Sequence, residues 1–224
     1  MTHLSIIIPT LNEAATIEYT LKHLAVLIKA GHEVIIVDGG STDATLSICK
    51  KYTQCIVSSE KGRAKQMNVG VEYASNKIIV FLHADTFLPI DANLLIAQAL
   101  KSKQWGFFCI RLSGSHLLLR LIEFFMNIRS RLTGIATGDQ VIFMQKDTFK
   151  KIGGFREIPL MEDIEISRAL KKFSTPACIC QHVISSSRRW ETQGFISTIF
   201  LMWKLRLFYF FGVPASQLVK KYYK

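Results

Sequence analysis

The sequence has no Cys-x-x-Cys pair, no glycine-rich phosphate loop, no internal repeat and no apolar run of membrane-spanning length. Each absence removes a class of protein. The five cysteines (Cys49, Cys55, Cys109, Cys178, Cys180) are odd in number, and Cys178 and Cys180 would point to opposite faces of a strand. Neither zinc nor a disulfide framework is indicated, and the thiols read as reduced core residues of a cytoplasmic protein. The N-terminus lacks a positively charged leader and its apolar run from Leu4 stops at Pro9, so no secretory signal is expected. The most apolar segment, Phe195 to Phe211, is interrupted by Lys204 and Arg206 and falls short of the roughly 20 residues a spanning helix needs. A dinucleotide fold needs Gly-x-Gly-x-x-Gly after its first strand, but the turn here is Pro9-Thr10-Leu11-Asn12-Glu13. Acidic residues are scarce: 17 against 28 basic ones, for a net charge of +11 and a pI near 9.5. Such a balance calls for an anionic partner, whether a nucleotide, a nucleic acid or an acidic membrane surface. No groove-reading motif is present, so nucleic acid is not the expected partner.

What is present is core-forming material. The 224 residues are 49% hydrophobic, with a mean hydropathy of +0.24. No Pro- or Ser-rich linker divides them, so a single domain over 1–224 is expected. Apolar runs at Leu4–Ile8, Glu33–Val37, Ile56–Val57 and Ile78–Leu82 alternate with helical spacing over 14–29, 44–52 and 64–74. This cadence predicts an α/β fold, a doubly wound and mostly parallel sheet, over about 1–112. Residues 113–190 are less regular: a strand over 105–112 leads to a helix over 117–132, then a short strand over 141–144. Helices over about 146–152 and 164–173 and a strand over 178–183 follow. The helix over 117–132 has a polar stripe of Arg120, Glu123, Asn127 and Arg131 on an otherwise apolar surface. Residues 191–224 read as a helical extension.

The central run Ile78–Leu82 ends abruptly in His83-Ala84-Asp85. A carboxylate is costly to desolvate without a partner. At the carboxyl end of a buried parallel strand it would instead sit where open α/β sheets bind ligands. Right-handed crossovers place Asn12, Glu13, Asp38, Asp43, His83 and Asp85 along one edge of the sheet. The plain structural alternative is that Asp85 caps a turn before Pro89.

Taken together, Pro9–Glu13, Asp38-Gly39-Gly40-Ser41-Thr42-Asp43, Gly62–Gly70, His83-Ala84-Asp85, Gly138-Asp139-Gln140 and Glu162-Asp163 resemble the family 2 glycosyltransferases of the GT-A fold. The His-Ala-Asp form and Ser187-Arg188-Arg189-Trp190 look like a short bacterial subgroup of that family. The resemblance runs from Leu4 to about Trp190. It implies a nucleotide-sugar-binding half over about 1–112 and an acceptor half over about 113–190. It also implies an inverting transfer from a nucleoside-diphosphate sugar, UDP-linked first of all, to a hydroxyl acceptor.

The resemblance assigns roles residue by residue. Pro9, Thr10, Asn12 and Glu13 would line the base and ribose, and Asp38 would accept a hydrogen bond from the base, with Gly39 and Gly40 turning the chain. Arg63, Gln66 and Asn68 would lie near the donor, with Arg188 and Arg189 closing over its phosphates. Asp85, in the place of the second acid of an Asp-x-Asp pair, would hold Mn²⁺ or Mg²⁺ against the diphosphate, flanked by Ala84. His83 replaces the first acid and is a candidate ligand or a phosphate contact, and His182 is a candidate later ligand. Gly138, Asp139, Gln140 and Trp190 would face the acceptor. Asp163 would be the general base beside Glu162.

Each role has a plainer competitor. Asp38 and Asp43 suit an Asp-Gly turn and helix cap, Glu162 and Asp163 suit the first turn of a helix, and His182 and Trp190 suit a strand and a core. Because His83 breaks the acidic pair, a catalytically silent nucleotide-binding or membrane-surface module is the alternative to an enzyme. The stretch over 195–224, aromatic and basic with no acid, fits a helix packed on the domain, a contact in a homo-oligomer or a peripheral membrane contact at the inner face of the cell membrane. Packing or a contact between copies is the expectation preferred here.

Overall fold

The computed structural model describes residues 2–222, so Met1 and the last two residues of the helical extension lie outside the described residues. Strand β1 (Leu4–Thr10) is followed by helix α1 (Ile17–Lys29), β2 (Glu33–Asp38), α2 (Thr45–Cys49), β3 (Ile56–Ser58), α3 (Arg63–Tyr73) and β4 (Ile78–Phe81). Then come β5 (Thr86–Phe87), α4 (Ala92–Ala99), β6 (Trp105–Leu112), α5 (Leu117–Thr133), a 3-10 turn at Gly138–Gln140, β7 (Phe143–Gln145) and α6 (Lys146–Ile152). The chain closes with α7 (Glu162–Lys171), β8 (Ala177–Ser185), α8 (Arg188–Gln193), α9 (Phe195–Phe210) and α10 (Ala215–Tyr222).

One sheet of eight strands, in the order β3-β2-β1-β4-β7-β6-β8-β5, organises the domain. The first four strands are parallel, as the alternation of buried apolar runs with helices predicts. Both sheet faces are covered. Ile6, Ile8, Val80 and Leu82 pack under Leu21 and Leu24 of α1, whereas Ile7, Val37, Ile79 and Phe81 pack on the other side against Met67 of α3 and Phe149 of α6. That split follows the period of two along a strand.

Three features depart from the sequence reading. The pair β5 and α4 is absent from the predicted elements, because the short stretch after Asp85 has no clear period. The strand predicted over 141–144 starts at Phe143, since Thr137 and Gln140 form a capping box that winds 138–140 into a 3-10 turn. The third concerns α5. β7 pairs only with Trp105 and Gly106 of β6, leaving the rest of that edge without a strand. The polar stripe of α5 fills the gap. Asn127 accepts from the Ile110 N–H at 2.9 Å and donates to the Ile110 carbonyl at 3.0 Å, Glu123 accepts from the Leu112 N–H, and Arg120 donates to the Leu112 carbonyl at 2.7 Å. Buried backbone polar groups need partners, and here side chains supply them. In consequence α5 turns its polar stripe inward, along with Leu119 and Ile122, and most of its other apolar residues outward.

Candidate active site

The carboxyl ends of β1, β2 and β4 carry the first group of candidate residues. Thr10 is in register with Asp38, and the two following loops are laced together. Asn12, at φ 54°, accepts from the Thr42 N–H at 2.8 Å, and its own N–H donates to Ser41 Oγ at 2.9 Å. Glu13 N–H donates to Thr45 Oγ1 at 2.8 Å and Ala14 N–H to Asp43 at 3.1 Å. Asp38 is buried, and its carboxylate accepts from the N–H groups of Gly40 and Ser41, both at 2.9 Å, and from the hydroxyls of Ser41 and Thr10. Three of these donors are close, whereas the Thr10 hydroxyl stands 3.5 Å from Asp38 and 3.4 Å from the Val37 carbonyl. Asp38 therefore shapes the loop and keeps acceptor capacity for a further donor.

Two further donor-side candidates are engaged with the chain itself. Gln66 is buried, and its amide donates to the carbonyls of Thr10 and Val37, each at 2.8 Å, clamping the ends of β1 and β2. Asn68 holds Phe155 by both backbone groups, donating to its carbonyl at 2.9 Å and accepting from its N–H at 2.8 Å. Arg63, exposed at the first turn of α3, stays on the open side, where its charge reaches Asp139.

His83 and Asp85 leave the end of β4 in different directions. His83 Nδ1 lies 3.0 Å from Asp139 Oδ1, and its ring is packed so closely on Gly138 that a Cβ there would come within 2.5 Å of Nε2. Only a glycine fits beneath the imidazole. Asp85 is half-buried, and among the described residues no donor reaches its carboxylate. An unpartnered half-buried carboxylate is unfavourable unless a cation completes it, which fits the metal role expected of Asp85. His83, with one nitrogen on Asp139 and the other over Gly138, does not fit a ligand role. His182 lies exposed on β8 opposite Cys109, and among the described residues no three His, Cys, Asp or Glu side chains form a ready metal cluster.

The acceptor-side candidates divide as well. Gln140 is fully buried: its carbonyl oxygen accepts from Ser130 Oγ at 2.6 Å and from the Thr137 N–H at 3.1 Å, so it supports the turn and does not face a substrate. Trp190 belongs to the apolar cluster of Ile110, Leu112, Leu119 and Ile122, as its structural alternative requires. Arg188 is exposed, and Arg189 donates to the Tyr222 carbonyl at 2.7 Å and lies 3.6 Å over the Tyr222 ring. Asp139 stays on the open side, its side chain 46% exposed. Burial raises its pKa, but the His83 contact and the charges of Arg63 and Arg189 leave it below the ordinary carboxylate value.

Glu162 and Asp163 open α7, as their structural alternative also predicts. Asp163 accepts from the Ile164 N–H at 2.8 Å and from the Gly138 N–H at 3.3 Å. Burial and the neighbouring Glu162 charge raise its pKa to about 7, against the pull of those N–H groups and of Arg129. Arg129 went unnoticed in the sequence because it lies off the polar stripe of α5. The non-glycine residues with positive φ among the described residues are Asn12, Val141 and Met161. All three adjoin candidate residues, and strained backbone of this kind concentrates at functional sites.

These contacts form a chain: Asp38 to Thr10 on β1, β1 beside β4, His83 to Asp139, and Gly138 to Asp163. Cavities of about 360 and 530 Å³ lie elsewhere, at the amino end of β4 and between α3 and α6, and none of Asp38, Asp85 or Asp163 lines either.

A parallel half joined through an antiparallel strand to a second, less regular half is the GT-A arrangement. This chain matches the sequence model of glycosyl transferase family 2 over residues 5–111. It is similar to an uncharacterized glycosyltransferase of Mycobacterium tuberculosis, 31% identical over 163 residues that cover 67% of this chain and 62% of the relative. Among solved structures it resembles S. aureus TarS 1-349 in complex with UDP-GlcNAc (TM-score 0.65, 19% identity, 83% of this chain and 58% of that one). It also resembles the mannosyltransferase PcManGT of Pyrobaculum calidifontis in complex with GDP-Man and Mn²⁺ (TM-score 0.59, 21% identity, 82% and 56%). The chain spans 62% of the length of that mycobacterial relative and 36% of a second curated relative, a PGL/p-HBAD biosynthesis glycosyltransferase of Mycobacterium bovis.

Proposed function

We propose that this chain is an inverting glycosyltransferase that moves a sugar from a nucleoside diphosphate, UDP in the first instance, to an acceptor hydroxyl, with Asp163 as general base. The observation that carries the reading is the tie between Gly138 and Asp163, next to the tie between Asp139 and His83. Together they bring the acidic start of α7 to the end of β4. A carboxyl whose pKa stands near 7 is suited to take a proton at neutral pH.

In this reading the acceptor oxygen attacks the anomeric carbon as its proton passes to Asp163, and the bond from that carbon to the diphosphate breaks. The Gly138 and Ile164 N–H groups hold the carboxylate in place while its remaining lone pairs meet the acceptor. Arg63 and Arg189 set a positive field beside the donor phosphates, and Asp139 holds His83 against Gly138. Asp85 would hold Mn²⁺ or Mg²⁺, a cation commonly bound by one or two carboxylates together with substrate phosphates. When bound, that cation would neutralise charge on the departing diphosphate. Both solved neighbours named above bind nucleotide sugars, one of them with Mn²⁺, which supports the donor class.

A panel of nucleotide sugars with and without Mn²⁺, read by thermal stabilisation and by release of nucleoside diphosphate, tests the proposal. A ligand that raises the melting point and is turned over supports it. Stabilisation with no turnover across acceptors would favour the silent nucleotide-binding module that His83 keeps in view. We read the chain as cytoplasmic, and the exposed apolar end of α9 as a contact surface.

A further inference from the structure

Two helices of this protein carry their apolar residues on the outside. On α9, Ile196, Phe200, Trp203, Leu207 and Phe210 recur at helical spacing and are 54–72% exposed. On α5, Leu117, Leu121, Phe124, Phe125, Ile128 and Leu132 form a second such stripe, exposed because the polar stripe of that helix faces β6. The helices meet at their first turns: His116 stacks on Phe195 with ring centroids 4.5 Å apart, and Leu119 and Ile122 share one cluster with Phe195 and Ile199. At 3.6 residues per turn, Lys204 and Arg206 fall on either side of the α9 stripe.

Charge selects the occupant. Residues 195–222 hold Lys204, Arg206, Lys220 and Lys221 and no acid, and the acid of α5, Glu123, is turned inward onto Arg120 and β6. Two copies of such a face would bring like charges together. An anionic bilayer would receive the apolar side chains while the basic stems reach up to the headgroups. Among the described residues no helix is long and apolar enough to cross a membrane, so the contact lies in the interface. We propose that the adjoining apolar faces of α5 and α9 dock this protein on an anionic lipid surface. The inner face of α9, through Leu205, packs in one cluster with Met161 and Ile164, which bracket the Glu162-Asp163 pair. Docking therefore sets those acids about one helix diameter, on the order of 10 Å, from the lipid.

Sedimentation of the full chain with vesicles of phosphatidylcholine alone, or of phosphatidylcholine with phosphatidylglycerol, tests this without any need for turnover. The wild-type chain should pellet with the anionic vesicles, less so at high salt. Trp203 fluorescence should shift to the blue, and the Trp203→Phe variant should lose that shift while still pelleting. The pairs F200S with W203S, and L121S with F125S, replace exposed side chains and should each weaken vesicle binding about tenfold or more, with unchanged melting points. The proposal is overturned if the chain stays in the supernatant with both vesicles. It is equally overturned if neither pair weakens binding, or if Trp203 is already buried by self-association in lipid-free solution.

Discussion

His83 Nδ1 and Asp139 Oδ1 stand 3.0 Å apart, joining the end of β4 to the turn that precedes β7 across 56 residues of sequence. The imidazole, which the sequence reading sets in the place of the first acid of an Asp-x-Asp pair, is thereby held by a carboxylate of the other half of the domain. The contact links the proposed donor side to the loop whose Gly138 N–H supports Asp163.

Because Asp139 is half-exposed, this link contributes modestly to stability. In a double-mutant cycle of His83→Ala and Asp139→Ala, urea unfolding should show a coupling of about 0.5–1 kcal/mol. A coupling of zero would mean that the contact does not hold in solution.

Asp163→Asn should retain nucleotide binding by calorimetry and lose transfer about 100- to 10,000-fold, the range of a general base. With the pKa near 7, wild-type kcat/KM should fall as pH drops below that value. Stability runs the opposite way. The folded pKa is raised above the unfolded one, so the unfolded chain gives up this proton near pH 4 and the native chain only near 7. Native stability is thus lost as pH rises through that window. The Asn variant should melt higher than wild type above pH 7 and equal to it below about pH 4.

Among the described residues Asp85 has no hydrogen-bond or ion-pair partner to lose. Asp85→Ala should change unfolding stability by no more than about 0.5 kcal/mol. In calorimetry it should abolish the enhancement of UDP binding by Mn²⁺. Unchanged metal dependence would remove Asp85 from the site.

Asn68 distinguishes a structural role from a donor contact. Asn68→Ala leaves the Phe155 N–H and carbonyl without their partner, at a cost of about 2–3 kcal/mol. It should lower the melting point and leave nucleotide affinity unchanged. A loss of affinity with normal stability would return Asn68 to the donor site.

Much of this arrangement was legible from the chain alone. The parallel half follows from buried apolar runs alternating with helical spacing, and the strand-end acids stand out because carboxylates seldom close an apolar strand for packing reasons. The structure departs from the sequence reading at individual side chains within the motifs. Gln66, Asn68 and Gln140 lie in motifs expected to contact substrate, yet their amides hold backbone groups of Thr10, Val37, Phe155 and Thr137. An amide can serve either purpose, and only its neighbours decide.

Fold class and the positions of the strand-end acids are set by local rules: the period of the apolar residues and the chemistry of the turns. Two matters needed the folded chain. One is which polar side chains stay open to a substrate, since their partners lie up to 87 residues away. The other is which way α5 faces. Its outward apolar stripe exists because β7 stops after two residues of β6 and the unpaired edge draws the helix's polar side chains inward, a condition that no pattern within 117–133 records.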